Sequence, residues 1–427
     1  MRLNSDELSM LDGKQGPARQ KAMELLVKYG EALGAERLVD TNNICAGVAG
    51  SAPAAREFAV KAGNMDAVFS EFHLDSAESV EIPDVKAFSC HINQAIDPAN
   101  WRIQRVPPEM YELCMRHEWF FARIGVQLLN TCAPYLVGNI PIKGQHCAWM
   151  ESSAVPLCNS VFGGRTNTEG CESTGAAMLT GKIPYWGYHL DENRLGTHLV
   201  DVGFDLETVM DWGLLGYCAG EVVQEKVPVL NGIKQIPNLT RLQHFAAAIA
   251  SSGGVEMFHI VGVTPEANSL DQAFGKKRPT TSLRFGSVER REAYEKLNSS
   301  AKDSNVDFVV LGCPHYGIEE IWRVCRLLEG KRIHASTNLW IFAPRAIKDI
   351  ADRSGYTEII RNSGAVLMTD NCPALGQVSP KGVRVVATDS AKQAHYLPAL
   401  LGFSTWFGSQ EECVRAAITG RWEGELK

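Results

Sequence analysis

Three short apolar runs constrain the fold most: Val306-Asp-Phe-Val-Val-Leu-Gly312, Gly364-Ala-Val-Leu-Met368 and Val383–Ala387. Strands this uniformly apolar are buried on both faces, as in a parallel sheet covered by helices. The first run is followed by an amphipathic stretch, Ile318–Leu328, and the same alternation recurs upstream. Ala18–Leu33 places Ala22, Leu25, Leu26 and Tyr29 at helical spacing, and Asn4 to Glu7 reads as a capping box. Short strands are expected near Arg37–Asp40 and Val85–Cys90, with a helix around Ala54–Ala62 between them. A helix at Glu109–Ile124 leads to a strand at Gln127–Cys132. Thr197–Val202 reads as a strand, and Leu206–Val223, Leu239–Ser252 and Gln410–Gly420 read as helices. Strands alternating with helices predict an α/β protein.

Composition excludes several classes. The 427 residues carry 42 Lys plus Arg against 49 Asp plus Glu, a net charge of −7, with no basic run to make a nucleic-acid footprint. No stretch approaches the roughly 18 apolar residues of a membrane span. Met1 to Gly13 is too charged for a signal peptide. The expectation is a soluble cytoplasmic protein whose 12 cysteines stay reduced. No C-x-x-C pair offers a zinc ribbon or a thioredoxin-type site.

Ligands of open α/β sheets bind beyond the C-terminal ends of the strands. Cys132, Cys313 and Cys372 all fall where expected strands end, each with proline one or two residues later. One reading is three unrelated buried thiols. The other is a soft-metal site assembled from distant segments, with three thiolates leaving one coordination position open. Spacing alone leaves both open. Glu151-Ser152 has the look of a helix start, Lys392 follows a strand end, and His189-Leu-Asp-Glu-Asn-Arg194 reads as a polar turn. There is no G-x-G-x-x-G, Walker loop or H-E-x-x-H.

Taken together, Ala46-Gly-Val48, Asn130-Thr-Cys-Ala-Pro-Tyr135, Ala148-Trp-Met-Glu-Ser-Ser-Ala-Val155, Arg165-Thr-Asn-Thr-Glu-Gly170, His189–Arg194, Gly312-Cys-Pro-His315 and Asp370-Asn-Cys-Pro373 resemble the aconitase X family along the whole chain. The resemblance implies a large catalytic component with a multi-lobed core similar to the first three aconitase domains. Lobes are expected at 1–136, 137–260 and 261–427, around a central iron cleft. It implies that Cys132, Cys313 and Cys372 hold an iron–sulfur cluster, 2Fe-2S or 4Fe-4S, or a mononuclear iron. By the same resemblance Gly47, Val48, Ala49, Asn93, Gln94, Glu151, Ser152 and Lys392 contact substrate, the last three being catalytic. The family serine falls at Ala49 and its proline at Gln94, which departs from the phosphomevalonate dehydratase pattern. The expected reaction is therefore dehydration of cis-3-hydroxy-L-proline to 1-pyrroline-2-carboxylate. The alternatives are a phosphomevalonate dehydratase and a non-catalytic iron sensor. With no room after the last helix for a swivelling domain, a separate small subunit carrying a serine base is expected as partner.

Overall fold

The computed structural model describes residues 1–46 and 80–426, so the helix expected at Ala54–Ala62 lies outside the described residues. In the helix Ser5–Leu11, Asn4 and Glu7 each bind the other's backbone amide, closing the expected capping box. The helix Pro17–Ala32 follows. The strands β1 (Leu38–Asp40), β2 (Ile44–Ala46), β3 (Ser89–His91), β4 (Ala148–Trp149) and β5 (Lys182–Pro184) make two small sheets. β1 pairs antiparallel with β5, while β3-β2-β4 is parallel throughout.

The strand expected at Gln127–Cys132 does not form. Gln127 makes a single parallel bridge to Cys90 of β3, and Asn130 then turns to φ +45°, a left-handed conformation that breaks an extended run. Cys132 thus follows an irregular segment, and the 3-10 turn Pro134–Leu136 comes after it.

The central sheet takes β6 (His198–Val202), β7 (Pro228–Asn231), β8 (His259–Ile260) and β9 (Thr281–Phe285) in the parallel order β8-β7-β6-β9. Its two long helices, Val209–Val223 and Leu239–Gly253, pack almost backbone to backbone. A Cβ on Gly220 would lie 2.7 Å from the Ile249 carbonyl oxygen.

The last sheet holds β10 (Phe308–Leu311), β11 (Asn338–Ala343), β12 (Val366–Thr369), β13 (Val385–Thr388) and β14 (Ser404–Phe407), parallel in the order β12-β11-β10-β13-β14. Alternate residues feed separate cores on its two faces. Val309, Leu311, Leu339 and Ile341 pack with Ile321, Val324 and Leu328 of the helix Ile318–Leu328. Phe308, Val310, Trp340 and Phe342 pack on the other side with Leu397 and Cys114. This is a doubly wound sheet, with β10 paired to β11 on one edge and to β13 on the other. The winding reverses between β10 and β13, and the crevice at such a switch point is where these sheets bind ligands.

Candidate active site

Two parallel sheets aim their C-terminal ends at one place. From the small sheet, β3 runs into Asn93-Gln94 and β4 into Glu151-Ser152. From the last sheet, β10 runs into Gly312-Cys313, β12 into Asp370-Asn371-Cys372 and β13 into Asp389-Ser390-Ala391-Lys392. Lys392 Nζ crosses between the two sheets to donate to Glu151 Oε1 at 2.7 Å and to Ser152 Oγ at 3.2 Å.

The contacts at Glu151 are lopsided. Oε1 also accepts from the Ser153 amide at 3.2 Å and the Ser153 hydroxyl at 2.9 Å. Among the described residues, none donates to Oε2. Burial opposes ionisation of Glu151, but Lys392 and the Ser153 donors together hold its carboxyl below the usual range. Burial also opposes the charge on Lys392, yet Glu151 and the nearby thiols keep its pKa raised. Each charge is kept by the other.

The three cysteines surround this pair electrostatically. Lys392 favours the thiolate at Cys132, Cys313 and Cys372, against burial, which pushes each thiol up, that of Cys313 to about 12. The His315 amide donates to Cys132 Sγ at 3.2 Å, while the Ser390 hydroxyl near Cys313 and the Ala374 and Leu375 amides near Cys372 favour the thiolate there. Cys132 and Cys313 are buried, whereas Cys372 is partly open. Donors aimed at sulfur and a shared cation suit thiolate ligands. Among the described residues no three His, Cys, Asp or Glu side chains converge closely enough for one metal ion. A single ion holds thiolates at about 2.3 Å each, while a cluster distributes them over several irons.

His315 fastens the three thiol-bearing loops together. It stands two residues after Cys313, its Nε2 lies 2.9 Å from the Asn371 carbonyl, and its Nδ1 lies 3.0 Å from Thr131 Oγ1. The carbonyl can only accept, so Nε2 carries the proton and Nδ1 accepts from the hydroxyl. Burial pushes its pKa down to about 4, so the ring is neutral.

Of the residues expected in the site, Cys132, Cys313, Cys372, Glu151, Ser152 and Lys392 share this neighbourhood. Gly47, Val48 and Ala49 lie outside the described residues. Asn93 and Gln94 are buried beside it. The Gln94 amide donates to the Asp370 carbonyl at 2.6 Å and its Nε2 to Glu118 at 3.0 Å, while Gln94 Oε1 and Asn93 Oδ1 have no donor among the described residues. His189–Arg194 stands elsewhere, as a structural joint: buried Arg194 grips Glu266 and donates to the Tyr188 and Asn159 carbonyls. Sequence reasoning passed over Ser153, Ser390 and His315. Only Ser390 left a signal, as a cap residue immediately before a helix.

The Aconitase X first domain matches residues 1–192, the second domain 196–295 and the third domain 306–419. A phosphomevalonate dehydratase large subunit of Methanocaldococcus jannaschii is 34% identical over 421 residues, spanning 97% of this chain and 100% of that protein. A cis-3-hydroxy-L-proline dehydratase of Pseudomonas aeruginosa is also 34% identical, over 426 residues, spanning 98% of this chain and 70% of that protein. The crystal structure of Thermococcus kodakaraensis aconitase X in its holo-form superposes with a TM-score of 0.82 at 30% identity, over 98% of this chain and 100% of that one. Fold and site together define a carbon–oxygen lyase of aconitase-like α/β build, a dehydratase. The chain belongs to the aconitase X family. The family implies an iron–sulfur cluster, and relatives named as large subunits imply a smaller partner. No helix among the described residues is long and apolar enough to cross a membrane.

Proposed function

We propose that the chain is the large subunit of a dehydratase acting on cis-3-hydroxy-L-proline. The observation that carries the reading is the Glu151–Lys392 pair, whose charges cancel and in which no donor among the described residues reaches Glu151 Oε2. A free carboxylate oxygen attracts a ring ammonium and repels a phosphate dianion. Asn93 Oδ1 and Gln94 Oε1 add two more acceptors in want of N–H groups. A phosphate offers only acceptors at neutral pH.

Dehydration removes the C2 proton and the C3 hydroxyl of the ring, and the enamine formed tautomerises to 1-pyrroline-2-carboxylate. The Lys392 ammonium has three protons, so its bonds to Glu151 and Ser152 leave one for the substrate carboxylate. Glu151 Oε2 holds the ring ammonium and Ser152 orients the ring. Cys132, Cys313 and Cys372 would hold the cluster, which when bound supplies Lewis acidity to a departing hydroxyl. A serine base on the small partner would take the C2 proton.

One observation favours a second reading, phosphomevalonate dehydration. The chain spans the whole of the M. jannaschii large subunit but 70% of the P. aeruginosa enzyme. Anaerobic reconstitution with the small partner, followed by side-by-side assay of the two substrates and of trans-3-hydroxy-L-proline, decides between them. Faster dehydration of the cis amino acid is expected. Faster turnover of 5-phosphomevalonate would overturn the substrate and leave the thiol site standing.

A further inference from the structure

One guanidinium joins two carboxylates that lead to different parts of the site. Arg345 opens the helix Arg345–Arg353 just past the end of β11, and its side chain is 45% exposed. Its Nη1 donates to Glu118 Oε1 at 3.2 Å, while its Nε, at 3.1 Å, and its Nη2 both donate to Asp370 Oδ2. Among the described residues neither carboxylate has a second cation within ion-pair reach. A planar guanidinium can hold two carboxylates in fixed directions, which an ammonium does less well.

The first carboxylate leads to a thiol. Asp370 is fully buried, follows β12, and stands two residues before Cys372 in a left-handed conformation at φ +68°. A non-glycine residue keeps that conformation only where its surroundings hold it. Neighbours from the first lobe do part of the holding. Asp97 Oδ2 accepts the Thr369 amide at 2.9 Å, and Asn371 donates to the Ala95 carbonyl and accepts from Gln104 Nε2, both at 3.0 Å. The second carboxylate leads to Gln94. Glu118, on the helix Pro108–Arg123, takes Gln94 Nε2 on its other oxygen. A carboxylate can only accept, so it fixes which end of the Gln94 amide it binds.

We propose that Arg345 is a positioning residue that latches the two lobes together at the site, acting through Asp370 on Cys372 and through Glu118 on Gln94. The Gln94 arm rests on the substrate site proposed above; the Cys372 arm does not. Iodoacetamide labelling of the metal-free full chain, read at each thiol by peptide mass spectrometry, tests the Cys372 arm. Cys171 and Cys218, partly exposed on other helices, report any general loosening. Arg345→Met should speed labelling of Cys372 about tenfold with those two unchanged, and Arg345→Lys should recover part of the protection. In the complex reconstituted with the small partner, Glu118→Gln should raise KM several-fold with kcat nearly unchanged, because a glutamine can also donate and lets the Gln94 amide turn. The same variant should leave Cys372 labelling as in the parent protein. Unchanged Cys372 labelling in Arg345→Met, or equal acceleration at all three thiols, would overturn the latch. Accelerated Cys372 labelling in Arg345→Met with an unchanged KM in Glu118→Gln would overturn the Gln94 arm alone.

Discussion

His315 is the residue on which most of the site depends, although it neither carries charge nor faces the reaction. Its amide serves Cys132 and its ring ties the Thr131 and Asn371 loops, so removing the ring loosens three segments at once. His315→Ala should cut bound iron at least several-fold, as measured by metal and sulfide analysis, while Cys413→Ala in the hydrophobic core should leave iron unchanged. Lys392→Met should abolish turnover, since it removes the carboxylate clamp and strands Glu151 in a largely buried place. Stranding one partner of a buried pair costs about 3–5 kcal/mol; at 15% exposure Glu151 should fall toward the lower end. Glu169 carries the pH signature. Burial raises its pKa from 4.5 to about 7, despite hydrogen bonds from Ser173 and Tyr29. Between those values the folded state holds a proton that the unfolded chain has lost, so this group's contribution to stability falls as pH rises. In thermal melts Glu169→Gln should gain on the parent protein as pH goes from about 5 to 8. The thiols at 313 and 372 were legible in the sequence because an apolar run, a thiol and a proline coincide there. Cys132 was picked out by the same strand-end argument, but the strand that argument relied on is broken at Asn130. His315 stood in the Gly312–His315 motif, but its fastening role was hidden because its bonds join residues 184 and 56 positions away.

Among the elements, the turn after β10 is the most tightly specified. Gly312 has φ +92°, and a Cβ there would lie 2.1 Å from the Phe342 carbonyl oxygen of β11. Gly312→Ala should therefore destabilise the protein by more than about 2 kcal/mol in denaturant melts, from left-handed strain plus a backbone clash. It should also lower iron content by shifting Cys313. Helices with strong caps and apolar periodicity were readable from sequence: Ile318–Leu328 has the expected bounds, and Leu239–Gly253 differs by one residue at its end. β14, four residues long with Ser404 and Thr405 among them, was not readable, because an edge strand this short carries no apolar run. Order within the sheets was equally hidden. Parallel pairing is a non-local choice, and the run of β10 does not say that β13 rather than β12 lies beside it.

At the scale of the molecule, the isolated chain should fold and take up iron yet dehydrate nothing until the small partner is added. Full turnover by the chain alone would place the base among its own residues. One further consequence follows from distance along the chain. Glu151 meets Lys392 across 241 positions, and Cys132 meets the His315 amide across 183. Synthesis proceeds from the N-terminus, and early domains begin to fold while later ones are still being made. The first thiol is thus exposed without its companions until nearly the whole polypeptide has left the ribosome. Loading of a three-thiol centre would belong to the end of biogenesis, after β12 has delivered Cys372, and a nascent chain stalled before that strand would lack the third thiol.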